Sequence, residues 1–168
     1  MDELTHVVLP GTYDPVTLGH LDVVARACRL FGKVTVGVAA SRTKHGVGTT
    51  FSLEERVDMI REALTEQGIE GVDVRSFEGL LVDFCRQVGA TAVVKGLRAM
   101  TDFEYELQQA DLNAHLAPDL ESVFVMASPA YGYVSSSIVR ELASLGSAVD
   151  SLVPACVAAR LAAHYAAT

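Results

Sequence analysis

Short apolar runs alternate along the chain with segments in which apolar side chains recur at helical spacing. Residues 34–39 form one such run and are rich in β-branched side chains, which favours a buried strand. Farther on, Leu53, Val57, Ile60 and Leu64 keep one face of a predicted helix apolar. Regular alternation of these two patterns is typical of repeated strand–helix–strand units.

The same patterns predict five strands joined by helices. The strands are predicted at residues 6–9, 34–39, 72–77, 92–94 and 122–126. The helices are predicted at residues 21–31, 53–67, 80–88, 103–116, 136–145 and 154–165. Ser52 and Glu55 have the form of a capping box, and Gly32, Gly68 and Gly89 are placed to end helices. Since the strands are largely apolar throughout, we predict an α/β fold with a doubly wound parallel five-stranded sheet.

The composition of the 168-residue chain limits its architecture and its partners. Its length suits a single domain spanning residues 1–168, and a hydrophobic content of 50% excludes a disordered chain. The formal net charge of −8 argues against a broad nucleic-acid surface, because phosphate backbones are bound by clustered Lys and Arg. Any phosphate that the protein binds must therefore meet a local basic site.

Cysteine spacing and N-terminal charge favour a cytoplasmic protein. Cys28, Cys85 and Cys156 are too far apart for a CxxC metal pair and odd in number for a disulfide framework, so we expect free thiols. Residues 1–15 carry acidic side chains where a secretory signal has basic ones. No apolar run approaches the ~20 residues that span a bilayer, so we expect no membrane partner.

The loop after the first strand carries glycines and a histidine next to a predicted helix. Gly11 and Gly19 permit close approach of the backbone, and a helix start supplies N–H groups with a partial positive charge, which suits phosphate. His20 is placed to donate a hydrogen bond to an anionic oxygen. A second interpretation stays open, in which the glycines only make a turn and His20 only caps the helix.

Basic residues follow two other strands. Lys95 and Arg98 come after the fourth strand, where they either meet phosphates or form a solvated ion-pair cluster with Asp102 and Glu106. Lys44 follows the second strand and adds a basic group on the same rim, because the carboxyl ends of parallel strands share one edge. The basic residues are therefore predicted to face one cavity.

Three serines, at residues 135–137, follow the fifth strand at the start of another predicted helix. Their hydroxyls and amides either hold phosphate or only cap the helix. Two helix starts suited to anions on one sheet favour a nucleotide triphosphate site more than either start does alone.

Together these segments resemble the nucleotidyltransferase superfamily that carries a T/HxGH motif, which stands here as TLGH, and a later motif, which stands here as VSSSIVR. They are most similar to bacterial phosphopantetheine adenylyltransferases, whose motifs occur in the same order as GTYDPVTLGHLDVV, AASRTK, FSLEERV, KGLRAMTDFEYE and ESVFVM. The resemblance covers nearly the whole chain. It implies a Rossmann-like fold and transfer of the adenylyl group of ATP to 4′-phosphopantetheine, giving dephospho-coenzyme A and pyrophosphate.

The resemblance also implies roles for individual residues. The implied catalytic residues are His20, Thr12, Lys44 and Arg98. The acceptor would be bound by Thr12, Lys44, Leu81 and Lys95. ATP would be bound by Thr12, Tyr13, His20, Gly96, Leu97, Arg98, Glu106, Tyr131, Gly132, Tyr133, Val134, Ser135, Ser136 and Ser137.

Such a reaction needs little covalent chemistry from the protein. An acceptor phosphate oxygen attacks the α-phosphorus of ATP in line, and a phosphate monoester is already anionic near neutral pH, so no strong general base is required. Mg²⁺ is expected to accompany ATP, and no residue is assigned as its ligand. The resemblance further implies a homohexamer, with coenzyme A as a feedback inhibitor.

Two other functions stay open at this point. A sister enzyme that adenylylates nicotinamide mononucleotide or cytidylylates a polyol phosphate would share the first loop and differ in its acceptor pocket. A non-catalytic ATP-binding regulatory module would share the architecture and would bind ATP without turnover.

Overall fold

The computed structural model describes residues 6–40, 48–98 and 100–167 of the protein. The strands are β1 (His6–Gly11), β2 (Lys33–Ala39), β3 (Val72–Phe77), β4 (Ala92–Leu97) and β5 (Glu121–Met126). The α-helices are α1 (Leu18–Leu30), α2 (Leu53–Glu66), α3 (Leu81–Val88), α4 (Met100–Leu116), α5 (Ser136–Ser144) and α6 (Ala155–Ala166). A 3₁₀ turn, Pro129–Tyr131, lies between β5 and α5.

One parallel sheet contains all five strands in the order β3-β2-β1-β4-β5. The chain runs outward from β1 to β3 and then returns to the other side of β1, so the strand order reverses there. Parallel neighbours require crossover connections, whose helices cover the sheet. The predicted doubly wound α/β fold is therefore confirmed, and its reversal point lies where such sheets bind ligands.

β1 and β4 pair over only two residues before they separate. Val7 stands opposite Ala92 and Val8 opposite Val93, and the ladder ends there. By contrast, the pairing of β1 with β2 and that of β4 with β5 continue to the ends of the strands. Pro10, which has no N–H to donate, lies just beyond the last β1–β4 pair. The sheet therefore opens into a crevice between its two central strands.

Both faces of the central strand are buried. Val7 and Leu9 belong to a large apolar cluster that includes residues of α1, α2, α5 and α6. Val8 belongs to a smaller cluster with Val82 and Phe84 of α3. This division follows from the two-residue period of a strand and explains why β1 is apolar at consecutive positions.

Some element boundaries differ from the sequence predictions. β4 continues through Lys95 to Leu97 instead of ending at residue 94, because its pairing with β5 persists. α1 begins at Leu18 instead of residue 21, and α4 begins at Met100 instead of residue 103. Within the described ranges, none of these helices has the length and hydropathy that crossing a bilayer would require.

The ends of the helices follow the predicted signals with one exception. The capping box at the start of α2 is present. Gly68 and Gly89 follow their helices in the left-handed conformation, with φ of 65° and 72°. The prediction that Gly32 ends α1 is wrong, because Phe31 already leaves the helix in an extended conformation with φ of −126°.

The start of α6 is capped by a carboxylate from the end of α2. Glu66 accepts hydrogen bonds from the N–H groups of Ala155 at 2.8 Å and Cys156 at 3.1 Å. These bonds stabilise the charged carboxylate and hold the pKa of Glu66 below its ordinary value of 4.5. α6 therefore receives from a distant helix the cap that Pro154, at its own N-cap position, does not supply.

We predict that Glu66→Gln lowers the free energy of unfolding by about 1 kcal/mol at pH 7, the usual scale for losing a cap. Because the folded-state pKa lies below the unfolded one, the carboxylate's contribution is complete above about pH 4.5 and disappears as the pH falls through the folded-state value. Urea denaturation at pH 7 and at pH 3 would measure both effects. Glu70→Gln, in the exposed loop after α2, is the control, and an equal loss in the two variants would contradict the cap.

Candidate functional site

Two adjoining clefts lie at the carboxyl ends of β1 and β4. The helix-start cleft, of about 330 Å³, is bordered by the starts of α1 and α5. The α3–α4 cleft, of about 280 Å³, lies between those two helices and reaches back to the end of β2. Pro10, Gly11, Lys95 and Glu106 line both. A ligand that fills one cleft therefore borders directly on a ligand in the other.

His20 caps α1 and lines the helix-start cleft at the same time. Thr17 is the N-cap residue, and its N–H donates to Nδ1 of His20 at 3.0 Å. In return, the Thr17 hydroxyl oxygen accepts from the His20 N–H at 3.3 Å. Because a backbone N–H is always a donor, Nδ1 must be an acceptor, and the proton of the neutral ring is on Nε2. Capping and hydrogen-bond donation, which the sequence left as alternatives, are therefore compatible.

The surroundings of His20 keep its ring uncharged. Desolvation, together with the smaller effect of the positive charges of Arg98 and Lys95, lowers its pKa from 6.5 to about 4. The ring packs edge-on against Tyr13, with their centroids 4.9 Å apart. A neutral imidazole with its proton on Nε2 is suited to donating a hydrogen bond. With so low a pKa, it is a weak general base near pH 7.

The ring of Tyr13 lines the helix-start cleft, whereas its hydroxyl is hydrogen-bonded to the main chain. The hydroxyl donates to the carbonyl of Leu9 at 3.0 Å, and burial raises the Tyr13 pKa above its ordinary value. Tyr13 has a positive φ of 51°. Gly11 permits this arrangement, because a Cβ at that position would stand 2.9 Å from the Tyr13 ring.

The predicted ion pairs of Lys95 and Arg98 are present, and both side chains also line a cleft, while their contact with phosphates stays a prediction. Arg98 lines the helix-start cleft and also donates to Asp102 at 3.1 Å and to the carbonyl of Val134 at 2.9 Å. Lys95 lines both clefts and stands 3.4 Å from Oε2 of Glu106. Within the described residues, that buried oxygen has no hydrogen bond. Lys95 belongs to β4 itself rather than to the segment after it, which is why it reaches both clefts.

The start of α5 forms the opposite wall of the helix-start cleft. Ser135 is the N-cap residue and accepts from the N–H of Ile138 at 3.2 Å, while the Ser136 hydroxyl donates to the carbonyl of Pro15 at 2.8 Å. Ser137, Val134 and Tyr131 complete this wall. The serines therefore cap and brace the helix while lining the cleft.

The remaining sequence-predicted residues divide by position. Thr12 and Leu81 line the α3–α4 cleft, and Gly96 lines the helix-start cleft. The lining of neither cleft includes Leu97, Gly132 or Tyr133, although all three are in the described part of the chain. Lys44 lies outside the described residues. The binding roles assigned to all these residues stay predictions.

Sequence reasoning missed three charged residues behind the clefts. Arg56 and Asp14 are buried, and Arg140 donates to the Asp14 carbonyl. One signal for Arg56 was available: it lies three residues after Leu53 and four before Ile60, so it falls on the apolar face of α2. A charge at such a position indicates a buried polar contact.

No protein cage for magnesium is evident in the part of the chain that the structure describes. Among the described residues, no group of three or more His, Cys, Asp or Glu side chains converges on a metal-sized site. We therefore assign no metal ligand, and the expectation that Mg²⁺ accompanies ATP stays a prediction.

Comparison with known proteins identifies the family. A cytidylyltransferase-like family profile matches residues 8–142. A phosphopantetheine adenylyltransferase of Moorella thermoacetica is 53% identical over 88% of this chain and 89% of its own length. Enzymes of the same name from a Nocardioides species and from Hahella chejuensis are 47% and 46% identical, over 98% and 95% of this chain and 99% and 96% of theirs. The chain belongs to the phosphopantetheine adenylyltransferase family.

Solved structures support the family's fold. A bifunctional NMN adenylyltransferase/ADP ribose pyrophosphatase from Francisella tularensis superimposes with a TM-score of 0.72 at 16% identity, over 95% of this chain and 49% of that one. A putative nicotinate-nucleotide adenylyltransferase from Vibrio parahaemolyticus gives a TM-score of 0.70 at 12% identity, over 98% and 96% of the two chains. At these identities the likeness shows the nucleotidyltransferase fold alone.

We predict that NMR titration of the free protein will show His20 protonated on Nε2 at pH 7, with a folded-state pKa of about 4. Since folding favours the neutral ring, the free energy of unfolding should fall as the pH drops from 6.5 toward 4. Nitrogen shifts of the imidazole would establish the tautomer. A midpoint near 6.5, or a proton on Nδ1, would contradict the geometry described here.

Proposed function

We propose that the protein transfers the adenylyl group of ATP to 4′-phosphopantetheine, giving dephospho-coenzyme A and pyrophosphate in coenzyme A biosynthesis. The observation that carries the proposal is the junction of the two clefts at Lys95 and Gly11. Because the clefts meet at this junction, an acceptor phosphate bound in one could approach a nucleotide phosphate bound in the other. The names of relatives 46–53% identical to this chain support the choice of acceptor.

The nucleotide is assigned to the helix-start cleft. The triphosphate would meet the N-terminal amides of α5 and the guanidinium of Arg98, both suited to phosphate oxygens. Nε2–H of His20 would donate to a phosphate oxygen. Arg98 donates a hydrogen bond to Asp102 in the free protein, and part of this interaction would be replaced by one with the nucleotide.

The acceptor is assigned to the α3–α4 cleft. Its walls combine the apolar side chains of Leu81, Leu112 and Leu116 with the amides of Gln109 and Asn113. Pantetheine has alkyl groups and two amide groups along one chain, so apolar walls with a few amide partners match it. Its phosphate would lie at the junction, next to Lys95 and Thr12.

The reaction we propose is a direct in-line displacement. An acceptor phosphate oxygen attacks the α-phosphorus, and pyrophosphate leaves from the opposite side. The protein's contribution is to align the two substrates and to stabilise the charge that develops on the phosphoryl oxygens. Neutral His20 acts as a donor rather than as a base or nucleophile. Such a displacement inverts the configuration at phosphorus, so retention with chiral α-thio-ATP would contradict it.

Assembly and regulation stay predictions. α4 exposes apolar side chains at Phe103, Leu107 and Leu116, which supports contact with further copies of the chain and is compatible with a hexamer. Coenzyme A contains the adenylate and pantetheine parts of the product, so we expect it to compete for both clefts. A cytoplasmic location is part of the same proposal.

An acceptor screen tests the proposed function. Purified protein with Mg-ATP would be offered 4′-phosphopantetheine, nicotinamide mononucleotide and glycerol 3-phosphate, and the products identified by mass. We expect dephospho-coenzyme A and pyrophosphate with the first acceptor only. Turnover of another acceptor would favour a sister enzyme, and ATP binding without any turnover would favour a regulatory module.

Two variants of His20 test its donor role. Glutamine at this position completes a capping box and keeps an N–H donor on its side-chain amide, whereas alanine removes both the cap and the donor. We expect His20→Ala to lower kcat by on the order of 10²-fold, the usual scale for one transition-state donor, with ATP affinity within a few-fold. His20→Ala should also lose about 1 kcal/mol of stability, whereas His20→Gln should keep its stability and part of its kcat. Near-normal kcat in His20→Ala would reduce His20 to a helix cap.

A further inference from the structure

Behind the acceptor side of the site, one buried arginine binds three segments of the chain. Arg56 lies in the first turns of α2 and is 1% exposed. Its Nη1 donates to the carbonyls of Thr12 at 2.6 Å and Ala39 at 3.0 Å, and its Nε donates to that of Phe51 at 3.3 Å. These carbonyls belong to the loop after β1, the end of β2 and the approach to α2.

The carboxylate of Asp14 binds main-chain amides of the same region. Its side chain, in a residue 5% exposed, accepts from the N–H groups of Thr50 at 2.8 Å and Phe51 at 3.0 Å. Phe51 is therefore bound at both main-chain polar groups, its N–H by Asp14 and its carbonyl by Arg56. The two opposite charges also attract each other.

An apolar side chain would cover this face of α2 without burying a charge. Desolvation lowers the pKa of Arg56, which shows that its surroundings disfavour the charged form. What the guanidinium adds is a rigid planar set of donors, which fixes the three carbonyls relative to one another. A flexible ammonium does not reproduce that geometry.

The contacts of Arg56 serve one cleft and not the other. Thr12 and Ala39 line the α3–α4 cleft. Neither of them is among the described residues that line the helix-start cleft. Arg56 itself stands behind both linings. We propose that Arg56 is a positioning residue for the acceptor, which sets the spacing between Thr12 and the carboxyl end of β2. This inference rests on the function proposed above, because it names the half of that site that Arg56 serves.

Kinetics of Arg56→Lys and Arg56→Met, with each substrate varied separately, test this role. We expect Arg56→Lys to lower kcat/KM for the acceptor by on the order of 10-fold to 100-fold, since a displacement of about 1 Å can cost as much, while KM for ATP stays within about 2-fold. Arg61→Lys is the matched control, because Arg61 lies on the same helix and donates to the Val74 carbonyl. Equal losses for both substrates, or none in Arg56→Lys, would overturn the proposal.

Amide hydrogen exchange judges the positioning role independently of turnover. In Arg56→Lys the amides of Ala40, Thr50 and Phe51, all hydrogen-bonded here, should exchange faster than in the wild type, while that of Glu121 in β5 should not change. If the wild type makes no dephospho-coenzyme A, the proposed function fails and exchange alone decides. Unchanged exchange at the three amides would then overturn the positioning role. If Arg56→Met does not fold, Arg56→Lys carries the test.

Discussion

The early end of the β1–β4 ladder is the constraint on which the site depends. Two residue pairs, Val7 with Ala92 and Val8 with Val93, hold the two central strands together. Beyond them each strand remains paired with its outer neighbour, so the strands diverge without loss of the sheet. The crevice receives side chains from β1 and β4 and the starts of α1 and α5. Glycine at 96 permits the close approach of β4 to α1 at the crevice, because a Cβ there would stand 3.0 Å from Val23.

Several polar groups that line the crevice are paired with one another. His20 bonds with Thr17, Arg98 with Asp102, and Lys95 pairs with Glu106. Such pairing keeps the groups in place while their contacts with solvent are reduced. Under the proposed function, a phosphate-bearing ligand would compete with the carboxylates that already pair with Arg98 and Lys95.

Charge behind the site has a different function from charge within it. The carbonyls bound by Arg56 and the amides bound by Asp14 belong to the end of β2 and to the segments that follow β1 and precede α2. A loop there has few helix or ladder partners for its main-chain groups, and leaving them buried and unpaired is costly. Buried side chains supply those partners and thereby define the shape of the cleft from behind.

Much of this fold followed from local pattern. Apolar runs and helical periods predicted five strands and six helices in their observed order, because strand and helix burial each impose a period on the sequence. The boundary of β4 was predicted wrongly because a charge interrupts its apolar run: the predicted strand ended before Lys95, whereas pairing with β5 continues β4 to Leu97. Family motifs in the sequence indicated the residues of the clefts, and the chemistry of these residues indicated phosphate.

Tertiary structure alone decided how those residues are used. Local sequence left His20 either a cap or a donor, and only the bond from Thr17 to Nδ1 showed that one ring can do both. It left Arg98 and Lys95 either to meet phosphates or to form ion pairs, and the ion pairs depend on where α4 places Asp102 and Glu106. The partners of Arg56 and Asp14 could not be predicted, because they are main-chain groups, which every residue carries and no sequence pattern marks. Periodicity determines which faces are buried, whereas contacts between segments distant along the chain exist only once the sheet has brought them together.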